Sequence, residues 1–200
     1  MTRLYACSSN RNKLAEFALA AGDMVQIAPL PAIDRLAPPE ENGATFEENA
    51  VLKAIYYSQF SAERVFADDS GLEVDALGGA PGVLSARFAG MNATDAQNNQ
   101  LLLERLGQRV DRGARFVTVL ALAERGRLLA TSSGTAEGEI LYAPRGEQGF
   151  GYDPLFFYPP LARSFAELSD EEKFAVSARG KALRALLSLR TAGASRSSEL

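Results

Sequence analysis

The chain has 200 residues, a formal charge of −4, 46% hydrophobic and 23% charged residues, which excludes disordered, collagen-like and coiled-coil chains and leaves a globular core of ordinary size. With no histidine and one cysteine, Cys7, it has no Ser-His-Asp or Cys-His nucleophile, no histidine zinc site and no internal disulfide, and a reducing, cytoplasmic setting is expected. The acidic balance argues against sequence-independent nucleic-acid binding, and no apolar run is long enough to span a membrane.

Residues 3–7 form an apolar run that ends in Ser8-Ser9-Asn10, and helix formers follow from Lys13 to Leu19, which predicts strand, turn and helix. Residues 24–27 read as a second short strand. Residues 28–44, with Pro29, Pro31, Pro38 and Pro39, read as a long loop of the kind that carries function or disorder. Thr45 and Glu48 have the spacing of a capping box, opening a helix to about residue 60 with Phe46, Ala50, Ala54 and Tyr57 on one face.

Residues 64–67 read as a buried strand that stops at an acidic turn, 68–71, before extended structure resumes over 72–77 and a flexible glycine-rich loop follows at 78–82. Thr94 and Gln97 cap a helix reaching Leu106, and residues 115–124 and 127–140 read as two long strands turning at Arg125-Gly126. Residues 144–154 form a second glycine- and proline-rich loop, followed by a strand at 155–158. Ser169 and Glu172 open a last helical face that runs through Phe174, Ala178, Ala182, Leu186 and Leu189, either as one helix weakened by Gly180 or as two with Ser177 between them. From residue 190 the tail is polar and small, expected to fray as a flexible C-terminal segment after a single domain over 1–189.

Four constellations carry candidate chemistry, each with a plainer structural alternative. Ser8, Ser9, Asn10, Arg11, Asn12 and Lys13 lie where a strand feeds a helix, which suits either a phosphate cradle or a simply capped helix with a solvated lysine. Asp68 and Asp69 lie near a strand end, where adjacent side chains point to opposite faces and only one reaches a given site; an Asx turn with Gly71 at positive φ is the other reading. Phe150, Gly151, Tyr152 and Asp153 offer an aromatic shelf for a flat ring, or a tight turn with one ring in the core. Glu40, Glu41, Lys173 and Arg179 read singly as solvated charges. Read together, these segments assemble phosphate donors, hard-metal carboxylates, a stacking shelf and cations for a base edge, the parts a nucleoside triphosphate hydrolase needs without histidine.

The motifs SSNRNKLAEF, EENGATFEENAVLKA, ADDSGLEVDALGGAPGVLSARFAG, FGYDP, and FAELSDEEK followed by SARGKAL occur in this order from residue 4 to about 187, and the chain resembles the inosine triphosphate pyrophosphatase family through them. The resemblance implies an α/β fold with an elongated mixed β-sheet flanked by helices, two lobes around a central nucleotide-binding cleft, and a homodimer. It implies Mg²⁺-dependent cleavage of ITP, dITP and XTP to monophosphate and pyrophosphate. It places Ser8 to Lys13 and Lys53 on the triphosphate, and Glu41 and Asp69 on Mg²⁺ with Asp69 also the general base. Ser70 would touch substrate, and Phe150, Gly151, Tyr152, Asp153, Lys173, Ala178 and Arg179 would line the base pocket. Neither nucleic acid nor membrane is an expected partner. Ser177-Ala178-Arg179 stands where the family has Ser-His-Arg, a departure that bears on base selection more than on hydrolysis. A nucleotide-binding sensor of the same fold is the alternative.

Overall fold

The computed structural model describes residues 2–22 and 25–194. One sheet carries seven strands in the order β2-β1-β3-β4-β5-β6-β7, with β1 (Thr2–Ala6), β2 (Val25–Pro29), β3 (Val65–Val74), β4 (Gly113–Glu124), β5 (Arg127–Ile140), β6 (Phe156–Tyr158) and β7 (Arg163–Ser164). It is mixed: β1 runs parallel to β2 and β3, and β6 is antiparallel to β5 and β7. Helices α1 (Arg11–Ala21), α2 (Phe46–Ser58), α3 (Asp95–Leu106), α4 (Asp170–Val176) and α5 (Ala178–Ala194) complete the α/β architecture expected from the sequence. Among the described residues no helix is long and apolar enough to cross a membrane.

The chain divides into two compact units, one of residues 1–69, 118–134 and 178–200, the other of residues 70–117 and 135–177. In the first, Leu4, Phe17, Phe66, Leu120, Leu183 and Leu186 are fully buried in one cluster, with the rings of Phe17 and Phe66 meeting edge-on at 4.9 Å. Each such side chain contributes about 1.5–3 kcal/mol by leaving water. In the second, Phe116, Phe156 and Phe165 form an aromatic core with centroids 4.6 to 5.8 Å apart.

Local chemistry sets the element starts. Thr45 with Glu48, Thr94 with Gln97, and Ser169 with Glu172 all form the reciprocal capping boxes expected at α2, α3 and α4. Phe46, Ala50, Ala54 and Tyr57 are all buried, as the α2 face requires. The β4–β5 turn is made by Arg125 and Gly126, both at positive φ, the conformation that matches strand twist in a two-residue hairpin.

Three expectations are corrected and one open alternative is decided. The acidic turn at 68–71 does not form: β3 runs unbroken through Asp68, Asp69, Ser70 and Gly71, and Gly71 is not at positive φ. The carboxylates find cations from other elements, so the strand need not break to solvate them. The loop expected from residue 28 starts later, since β2 continues to Pro29 and the Leu30 N–H still donates to the Ala6 carbonyl at 2.9 Å; Ile33–Arg35 adds a 3-10 turn. The last helical face is two helices, broken at Ser177, whose extended backbone separates α4 from α5. The α5 backbone continues to Ala194, past the expected start of the tail at residue 190, and residues 195–200, like Met24 of the second strand, lie outside the described residues.

Candidate active site

In the first unit, Lys53 gathers two carboxylates. Its Nζ lies 2.8 Å from Asp69 Oδ1 and 3.2 Å from Glu41 Oε1. Asn49, one helical turn earlier on the same face of α2, donates from Nδ2 to Asp69 Oδ2 at 3.3 Å and accepts the Gly43 N–H on Oδ1 at 2.9 Å. Both oxygens of Asp69 are thereby held, and the end of the proline-rich loop is tied to the same helix. Burial pushes the Asp69 carboxyl above its ordinary value, and Lys53 offsets only part of this. Burial would lower the Lys53 ammonium, but Asp68 and Asp69 outweigh it and keep the lysine charged. Glu40 is exposed on the surface and makes no such contact with Lys53, so Glu41 is the loop carboxylate that joins the cluster.

Glu41 and Asp69 suit a hard cation. They supply oxygen donors alone, already drawn to one positive charge, and Mg²⁺ needs one or two carboxylates when water and phosphate fill its remaining positions. No group of three or more metal-ligating His, Cys, Asp or Glu side chains occurs among the described residues. Cys7 is buried, and burial pushes its thiol up, away from the reactive thiolate.

Asp68 occupies the opposite face of β3. Lys13 Nζ contacts Asp68 Oδ2 at 2.8 Å, Arg179 Nη2 lies 3.9 Å from the same oxygen, and Arg179 Nη1 pairs with Glu16. Burial would raise the Asp68 carboxyl, but Lys13, then Arg179 and Lys53, hold it well below the usual carboxylate range. Alternation along the strand thus sends neighbouring carboxylates to different cations. Upstream, Asn10 caps α1 by accepting the Asn12 and Lys13 N–H groups at 3.0 and 3.2 Å, and Ser8 Oγ accepts the Asn10 N–H at 3.2 Å. The capped-helix reading of Ser8–Lys13 is therefore observed, with Ser9, Asn10, Arg11 and Asn12 exposed, but Lys13 is ion-paired instead of solvated.

In the second unit, Asp153 Oδ2 accepts from Lys173 Nζ at 2.5 Å and from the Phe150 N–H at 2.8 Å, while Lys173 Nζ lies 4.6 Å from the centroid of the Phe150 ring. Tyr152 is buried, its hydroxyl donating to the Ser85 carbonyl at 2.8 Å. The two-ring shelf therefore reduces to Phe150, with the second ring in the core. Gly151 sits at φ +63°, and Ser70 is half-buried on β3. Lys173 and Arg179, expected together in one base pocket, fall in different units; Ala178, buried, and Arg179 open α5 in the first.

The Ham1 family matches residues 4–189 of the chain. The chain belongs to the Ham1 family. A relative from Acidobacterium capsulatum named dITP/XTP pyrophosphatase is 48% identical over 194 residues, covering 92% of this chain and 96% of its own. The structure of a HAM1 protein from Coxiella burnetii aligns with a TM-score of 0.85 at 42% identity, covering 96% of this chain and 99% of its own. The Staphylococcus aureus Ham1 protein gives the same TM-score at 38% identity, covering 96% and 100%. These bear out both the α/β fold and the family resemblance carried by the five motifs.

Some residues of this Ham1 site escape a reading of the sequence. Asn49 had a signal: it precedes Lys53 by four positions on one helix, so any ligand of Lys53 lies within its reach. Glu16 had none, because its cation Arg179 comes from a distant segment, as do the cations of Asp68, a residue the sequence does single out. Asp95 and Asn99, which bond the backbone of Gly151, were equally hidden behind an ordinary amphipathic helix.

Proposed function

We propose that the chain hydrolyses deaminated purine nucleoside triphosphates, ITP, dITP and XTP, to nucleoside monophosphate and pyrophosphate, with Mg²⁺ held by Glu41 and Asp69. The observation that carries this is the Glu41–Lys53–Asp69 cluster, a buried lysine and aspartate joined by a half-buried glutamate, in a chain without histidine and in a family whose relatives are named dITP/XTP pyrophosphatases. When bound, Mg²⁺ supplies charge neutralisation for the phosphate oxygens.

The chain's own groups do the rest. Water attacks the α-phosphorus, the bond from that phosphorus to the β-bridging oxygen breaks, and Asp69 takes the water proton. A carboxyl raised by burial is a stronger base than a solvated one. Lys53 and Lys13 neutralise the departing pyrophosphate, Lys13 leaving Asp68 to do so, and the side chains of Ser8 to Asn12, exposed from Ser9 on, receive phosphate oxygens. The base lies on Phe150, with Lys173 donating to its 6-oxo edge, where adenine would present an amino group instead. We hold the working form to be a cytoplasmic homodimer without nucleic-acid or membrane partners, in keeping with the charge of −4 and a single cysteine. Sedimentation at micromolar concentration checks the assembly.

The deciding experiment is pyrophosphate release from ITP, dITP, XTP, GTP and ATP with Mg²⁺ and with chelator. Release from the first three, weak with ATP and abolished by chelation, is expected. Tight ITP binding without release would leave a sensor and overturn the enzymatic reading.

A further inference from the structure

Two side chains of α3 grip the backbone of Gly151. Asn99 Nδ2 donates to the Gly151 carbonyl at 2.9 Å, and Asp95 Oδ2 accepts the Gly151 N–H at 2.6 Å. Gly151 sits at φ +63° with open space around its Cα, so backbone conformation, not crowding, is what is being fixed. The residues flanking this grip are Phe150, whose ring faces Lys173 Nζ, and Tyr152, anchored through its hydroxyl.

A cleft of about 570 Å³, bordered by Asn99, Leu103, Phe150 and Pro154, lies between helix and loop. Asn99 also leaves its buried Oδ1 without a hydrogen-bond partner while Nδ2 reaches Gly151. A buried orphan acceptor is costly, and here it accompanies a bond that orients the loop.

We infer that Asp95 and Asn99 are positioning residues for base recognition: by fixing the peptide groups of Gly151 they set the Phe150 ring and the Lys173 ammonium against the base without touching it. The inference rests on the reading above, in which Phe150 and Lys173 meet the base.

The test measures kcat and KM for ITP, affinity for inosine monophosphate, inhibition by tripolyphosphate and the thermal midpoint in Asn99→Leu, Asp95→Leu and Asp95→Asn. Asn99→Leu removes the orphan acceptor along with the donor, so its midpoint should hold. The two leucine variants should raise KM for ITP and weaken inosine monophosphate on the order of tenfold, the weight of one lost hydrogen bond, with kcat and tripolyphosphate inhibition little changed. Asp95→Asn keeps an acceptor for the Gly151 N–H and should recover most of the loss. Unchanged KM in both leucine variants overturns the inference. So does equal weakening of inosine monophosphate and tripolyphosphate with a lowered midpoint, which marks general damage, and so does Asp95→Asn behaving like Asp95→Leu, which marks a helix-charge effect. A wild-type protein that releases no pyrophosphate overturns the enzymatic reading instead, and the inosine monophosphate titration then decides the inference alone.

Discussion

Asp68 and Asp69 are chemically identical neighbours with opposite environments, and substitutions there should separate activity from stability. Asp69→Asn keeps one acceptor oxygen, for Lys53, turns the oxygen that Asn49 meets into a donor, and removes the charge and the proposed base. We expect kcat to fall by roughly 10²–10⁴-fold in the pyrophosphate assay, the range for losing a general base. The folded Asp69 carboxyl is raised, so its own contribution to stability is present when protonated at low pH and lost as pH rises through the folded value. Asp68 has the reverse sign. Its carboxyl is depressed, so its contribution is present above the unfolded value and lost as pH falls toward the folded one, a window below about pH 4. Denaturation curves across that window should show a shallower acid loss in Asp68→Asn, and an unchanged acid slope would remove Lys13 and Arg179 as the cause. That the two carboxylates diverge was legible from strand alternation. Which cation each would meet was not, because Lys13 and Arg179 come from far along the chain.

Elements announce themselves where their signals are local. The capping boxes at Thr45, Thr94 and Ser169 and the turn at Arg125-Gly126 depend on residues one to three apart, and each formed where expected. β3 did not, since a strand through Asp-Asp-Ser-Gly is tolerated only when distant partners neutralise it. The packing of α5 on β5 is another contact no local pattern reveals. Gly134 of β5 approaches so closely that an added Cβ would run into the Ala178 carbonyl and come within 2.6 Å of the Ala182 N, both backbone atoms, and Ser132 Oγ donates to the Ala182 carbonyl at 2.9 Å. Gly134→Ala should therefore cost about 1–3 kcal/mol by chemical denaturation, the range for overpacking, because the first turns of α5 must move. A variant as stable as wild type would mean the helix shifts without strain.

Over the whole molecule, the chain passes between its two units after residues 69, 117, 134 and 177, so residues of each unit are drawn from separate stretches of sequence. The order of five motifs was enough to recognise the family and its α/β fold, whereas the division of Lys173 from Arg179 between units has no trace in their spacing of six residues. If the proposed substrate is right, a non-hydrolysable ITP analogue with Mg²⁺ at about a hundred times its Kd should raise the thermal midpoint by roughly 5–10 °C, by mass action on the folded state. The ATP analogue at the same concentration should not. The amide of Asn49 binds the Gly43 backbone with one end and Asp69 with the other, and a Cβ at Gly43 would press within 2.6 Å of that amide oxygen. The proline-rich loop is therefore not a cassette that can be exchanged between relatives at will: a graft that brings any side chain to position 43 disturbs the hydrogen bonding of Asp69 from outside it, and loop and helix must be inherited as one piece.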